Sequence, residues 1–171
     1  SSKNQTQQNL INNIMNKKIP RLGQGERAPD FILPSTEGVP TRFYAKAGGV
    51  PTVLVFSSFN QLDEISYLSK ELKTNNCDQV SIIVVLKINS ALTQQSVAAE
   101  TSADFTVFLG DVEGVQTAYR LADEDKNVIF LLDSNLRVLT STSLEDIQLA
   151  IRSEEHTSEL QSLVNLVCRL L

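Results

Sequence analysis

The chain has 171 residues, a net charge of −5, 42% hydrophobic and 20% charged residues, two Cys, one His and no Trp. That length holds one ordinary domain, and the composition is that of a folded globular chain. The acidic balance argues against a nucleic-acid partner, which needs clustered Lys and Arg, and so few His and Cys argue against a structural zinc site or a two-His iron centre.

No apolar run reaches the ~18 residues of a transmembrane helix, so no membrane partner is expected. The chain opens Ser1-Ser2-Lys3 without Met, which fits a processed or truncated product. Two Cys are too few for a disulfide scaffold, which favours a cytoplasmic setting.

Residues 1–21 read as a polar, Asn/Gln-rich start followed by a short helix. Leu10, Ile11, Ile14 and Met15 recur at helical spacing, and Pro20 ends the pattern. All five prolines and five of the seven glycines (Gly23, Gly25, Gly38, Gly48, Gly49) lie between Pro20 and Pro51. That stretch predicts turns and short edge strands, not helix.

Pro51 to Ser57 (PTVLVFS) predicts a buried strand. Leu62, Ile65, Leu68 and Leu72 mark one face of a helix over about Gln61 to Lys73. Asn75 to Asp78 reads as a turn, and Val80 to Lys87 (VSIIVVLK) as a second buried strand. Two strands that are apolar on both faces, joined by an amphipathic helix, make a βαβ unit with a parallel pair.

Ala91 to Glu100 predicts a helix, and Asp104 to Leu109 a strand. Val112 to Leu121 predicts a helix with Val115, Ala118 and Tyr119 facing inward. Asn127 to Asp133 (NVIFLLD) and Leu136 to Thr140 (LRVLT) predict a hairpin around Ser134-Asn135. Ser143 suits the N-cap of a last helix from Leu144, with Asp146 in its first turn. The element order predicts an α/β, thioredoxin-like fold of peroxiredoxin type, with a mixed central sheet flanked by helices. Its boundaries are 22–151.

Specific residues carry a resemblance. Gly25-Glu26-Arg27-Ala28-Pro29-Asp30-Phe31-Ile32-Leu33-Pro34, followed by Gly38, resembles the opening motif of the redoxins. These are the alkyl hydroperoxide reductase and thiol-specific antioxidant group. More narrowly, Gly110 to Leu121 (GDVEGVQTAYRL), Leu131 to Leu139 (LLDSNLRVL) and the Ala47-Gly48-Gly49-x-Pro51 approach resemble a cysteine-poor redoxin-like domain. In bacteria that domain precedes a 2-oxoglutarate and iron dependent oxygenase domain. The resemblance implies two partners: a further copy, through edge strands, or a neighbouring oxygenase-type domain in the parent chain. It implies no cofactor or metal for this part.

Redoxin chemistry needs a thiolate, which in the family sits just after the strand ending near Phe56. Here that window reads Ser57-Ser58-Phe59-Asn60, and no C-x-x-C occurs anywhere. The family's Arg before the later hairpin strand falls near Asn127, and no Pro follows Pro51 to make thioredoxin's cis-Pro. A catalytic Ser57 or Ser58 would need an adjacent base. Asp63 and Glu64 suit the dipole of the helix they begin, and they would disfavour a nearby thiolate. The expectation is a non-catalytic binding or scaffolding module; a separate reading is a small-molecule binder using the cleft around Ser57 to Asn60. The alternative is a divergent thiol peroxidase or oxidoreductase using Cys77.

The stretch 152–171 stands apart. Arg152 to Ser162 (RSEEHTSELQS) resembles the in-frame translation of a sequencing-library adapter more than a protein motif. That reading removes His156 and Cys168 from the functional inventory. The competing reading continues the last helix, because Leu160, Leu163, Val164, Val167 and Leu170 keep helical spacing.

Overall fold

The computed structural model describes residues 4–7, 20–36, 39–57, 62–74, 79–87, 105–110, 112–122, 125 and 127–143. The expected helices at 10–15, 91–100 and after Ser143, the turn at 75–78 and the 152–171 stretch lie outside the described residues.

A five-stranded mixed sheet organises the rest. β1 (Ile32–Pro34) and β2 (Pro40–Arg42) form a separate antiparallel pair. β3 (Thr52–Ser57), β4 (Ser81–Lys87), β5 (Thr106–Gly110), β6 (Val128–Leu132) and β7 (Val138–Ser143) lie in the order β5-β4-β3-β6-β7. β3 sits in the middle, parallel to β4 in the register Thr52↔Ser81 to Ser57↔Leu86. It is antiparallel to β6, Thr52↔Leu132 to Phe56↔Val128. β5 extends the parallel side and β7 the antiparallel side. This is the mixed sheet and the βαβ pair expected from the sequence.

β3 reads as an unbroken apolar run because both of its faces are covered. Val53 and Val55 pack with Ile82, Val84, Val107 and Ile129 beneath the helix Leu62–Thr74, α2. Leu54 and Phe56 point the other way, among Ile83, Phe108, Phe130 and Tyr119. Each fully buried chain of this kind contributes roughly 1.5–3 kcal/mol. α2 spans Leu62–Thr74 and buries Leu62, Ile65, Leu68 and Leu72, the stripe predicted from their spacing. Lys73 in its last turn complements the helix dipole.

The second face holds a correction. α1 (Phe43–Ala47) is a helix inside the stretch expected to have none. Its cap is remote: Asp30 Oδ1 accepts the N–H of Tyr44 at 3.0 Å and that of Phe31 at 2.9 Å. Phe43 and Ala47, one turn apart, are fully buried. Gly48, at φ 63°, closes the helix in the left-handed conformation that glycine adopts without strain, and donates to Tyr44 O.

A second correction concerns α3 (Glu113–Ala118), where Ala118 is exposed rather than inward-facing. The helix stops early because Tyr119 leaves it at ψ 4° and Arg120 turns to φ 56°. Val115 and Tyr119, at i and i+4, form the buried stripe as expected.

The hairpin turns at Ser134-Asn135 as predicted, but β7 begins at Val138, not Leu136. Asp133 Oδ1 accepts the N–H groups of Asn135 (2.8 Å) and Arg137 (3.0 Å), and Leu136 sits at φ 64°. These bonds use up Leu136 and Arg137 in the turn.

Residues 21–28 lie as a strap along this hairpin. Gly25 N–H donates to Val138 O, Ala28 N–H to Leu136 O and Val138 N–H to Glu26 O, each at 2.8 Å. Arg21 Nε donates to Ser141 Oγ at 3.0 Å. Glu26 accepts from Gly23 N–H at 2.6 Å and pairs with Arg120. The Gly23 bond chiefly, with Arg120 assisting against some desolvation, holds the Glu26 carboxyl below its ordinary 4.5. The sign follows from linkage. A depressed carboxyl adds stability above about pH 4.5, and that stability is lost as pH falls through the folded-state value. Wild-type and Glu26→Gln proteins should therefore differ in melting temperature at pH 7 and converge in acid. A gap that widens in acid would contradict this account.

Candidate functional site

The C-terminal end of β3 gathers polar residues from three strands. Ser57 closes that strand and is 7% exposed. The register Phe56↔Val128 carries Asn127 to the same sheet end, and Val128↔Ser143 adds Ser143. Asn127 adopts φ 59°, a left-handed conformation that Asn tolerates better than most residues. Lys87, paired with Gly110, ends β4 at the same side. Ser57, Asn127 and Ser143 thus share one polar sheet end, which the sequence does not bring together. Ser58, Phe59 and Asn60 lie outside the described residues, between Ser57 and Leu62.

Beneath this end lies an aromatic floor. The Phe56 ring is 5.0 Å from Tyr119 and 5.9 Å from Phe130, and Tyr119 and Phe130 are 5.6 Å apart. Phe31 stacks on Phe43 at 4.8 Å and meets Phe108 edge-on. Tyr119 is fully buried, and its hydroxyl donates to Pro29 O at 2.6 Å. Burial, then the charges of Tyr44 and Asp30, push its pKa far above the ordinary phenol value. The phenol therefore stays protonated and serves as a donor. The Tyr44 hydroxyl donates to Ala28 O at 2.5 Å, so two phenols anchor successive carbonyls of the strap.

Sequence reasoning placed Tyr119 inward but missed its hydroxyl. The available signal was general: a buried Tyr needs a partner for its O–H. Tyr119→Phe removes that donor from the half-buried Pro29 O. An expected loss of about 1–3 kcal/mol in denaturant unfolding follows. An unchanged midpoint would show that the bond contributes nothing net.

Cys77 lies outside the described residues. The chain enters β4 at Ser81, whose N–H donates to Pro51 O at 2.9 Å and which pairs with Thr52. That is the end of β3 opposite Ser57, about 17 Å away along the strand. Cys168 and His156 also lie outside the described residues. Among the described residues no group of three or more His, Cys, Asp or Glu could hold a metal ion, all peptide bonds are trans, and no helix is long and apolar enough to cross a membrane.

No protein-family profile matches the chain, and no curated protein matches it. Solved structures do. Peroxidoxin BcpB from Mycobacterium tuberculosis aligns at 16% identity over 88% of this chain and 98% of its own, with a TM-score of 0.58. The thioredoxin domain of a thiol-disulfide oxidoreductase from Bacteroides vulgatus aligns at 17% identity, covering 70% and 88%, with a TM-score of 0.58. Arabidopsis thaliana ScoI, solved with copper bound, aligns at 14% identity, covering 85% and 98%, with a TM-score of 0.59. At such identities the likeness is one of fold, and it agrees with the strand order and the covered sheet faces. The chain has the thioredoxin-like fold that these redoxins share.

Proposed function

We propose that this chain is a redoxin-fold binding or scaffolding module that carries out no thiol chemistry at the end of β3. The observation that supports this most is the sequence Ser57-Ser58-Phe59-Asn60 between β3 and α2, in which no Cys occurs. Thiol peroxidase and disulfide exchange both need a thiolate as nucleophile. A serine hydroxyl there would need an adjacent base, and no His occurs among the described residues. What remains at that end is a polar rim of Ser57, Asn127 and Ser143 over an aromatic floor. That surface suits reversible docking of a small molecule or of a neighbouring domain in a longer polypeptide.

The test is peroxide consumption with a thiol reductant. The expected rate is background, the same in wild-type and Cys77→Ser proteins. Turnover well above background that disappears in Cys77→Ser would replace this reading with a divergent thiol peroxidase.

A further inference from the structure

The strap is bonded to the body at many points but little buried in it. Within residues 21–29 only Leu22 and Ala28 are buried, and Gln24, Gly25, Glu26 and Arg27 are exposed. Every residue of β3, by contrast, is buried. The strap's ties are hydrogen bonds to three other parts of the chain. Val138 turns both of its main-chain groups away from the sheet: its N–H donates to Glu26 O, and its C=O accepts from Gly25 N–H. Ala28 N–H reaches Leu136 O in the hairpin turn. Leu22 N–H donates to Tyr119 O at 3.3 Å, the hydroxyls of Tyr119 and Tyr44 donate to Pro29 O and Ala28 O, and Glu26 pairs with Arg120.

The pairings that build the five-stranded sheet, β3 with β4 and β6, β4 with β5 and β6 with β7, include no strap residue. The strap can therefore leave without breaking a rung of that sheet. Just beyond it the chain is fixed again: Phe43 N–H donates to Phe31 O at 2.9 Å, and the two rings stack. A segment with few buried apolar groups, tied by partly exposed main-chain bonds, opens at a lower free energy than the core it lies on. Because its bonds all end on the same short stretch, breaking some of them exposes the others.

We propose that residues 21–29 are a releasable cover for the β7 edge, detaching as one unit while the five-stranded sheet stays folded. β7 is the last strand of that sheet, and the cover lies on its outer side. Release frees the C=O of Leu136 and both the N–H and the C=O of Val138, the kind of main-chain groups with which an added extended segment pairs.

The experiment is native-state amide hydrogen exchange on the full chain, with two mild variants. The amides of Leu22, Gly25, Ala28 and Val138 should share one opening free energy, below that of Val55 and Val84 in β3 and β4. Ile65→Val alters the α2 side of the sheet, the face opposite Leu22 and Ala28, and so weakens a contact that persists when the strap is off. It should lower the protection of Val55 and Val84 by about twofold to tenfold and leave the four strap-linked amides unchanged. Tyr119→Phe removes one bond to the strap and should lower the protection of all four together, by about fivefold or more. If those four fell alongside Val55 and Val84 in Ile65→Val, the strap would open only with the whole fold. Four different opening free energies would mean piecemeal fraying. Either result overturns the releasable cover.

Discussion

Replacing Phe130 by alanine is expected to lower the unfolding free energy by about 3–5 kcal/mol. The ring is fully buried in β6, paired with Leu54 on one side and Ser141 on the other. It meets Phe56 edge-on and Tyr119 at a tilt. Truncation removes the transfer free energy of the ring and leaves a void bounded by two sheet strands, which cannot close around it. The lost aromatic geometry adds to the area term, by about 0.5–1.5 kcal/mol per pair. For a chain of this size about 2–4 °C of melting temperature goes with each kcal/mol, so a fall of roughly 6–20 °C is expected by circular dichroism. A fall under about 3 °C would mean that the aromatic floor repacks freely, and the described core would be wrong in its rigidity.

Val55→Asp should have the largest effect of all. Val55 is fully buried in the central strand, between Val84 and Ile129, on the face covered by α2. The described residues packed around it are apolar. An isolated carboxylate there either remains charged at a cost of several kcal/mol or takes up a proton. Domains of this kind have only about 5–15 kcal/mol of stability in total, so most of the folded population should be lost at pH 7. Burial raises this carboxyl above its unfolded value, so the penalty shrinks as pH falls. That is opposite in sign to the behaviour expected at Glu26. Far-UV spectra of the variant at pH 7 and pH 4 check both halves. Equal folding at the two values would contradict the burial of Val55.

The parts of the fold that could be read from sequence are those whose cause is local. PTVLVFS, VSIIVVLK and NVIFLLD show buried strands directly, because a strand covered on both faces must be apolar throughout. The α2 stripe and the Val115–Tyr119 step show themselves by spacing. α1 was missed because its cap, Asp30, comes from fourteen residues upstream. Ala118 was misplaced because a helix of six residues ends before its pattern can repeat. At the site, the lack of a Cys after Phe56 is plain from the sequence. The meeting of Ser57, Asn127 and Ser143 is not, since it depends on the β3–β6–β7 register. The pairing of Arg27 with Arg137 is equally illegible, since it depends on the strap lying along the hairpin.

The strap has a kinetic consequence. Its contacts join residues very far apart in the chain: Arg21 to Ser141 across 120 positions, Arg137 to Gly25 across 112, Tyr119 to Pro29 across 90. Such closures are slow, because their entropy is lost before the contact is gained. On a ribosome adding about 5–20 residues per second, the strap waits on the order of ten seconds for the hairpin it binds. Through that interval Leu22 and Ala28, both buried in the finished fold, lack their bonds to Tyr119 and Leu136. The strap is made well before the hairpin it binds and is among the last segments to dock, so a nascent chain is most exposed to aggregation and proteolysis there.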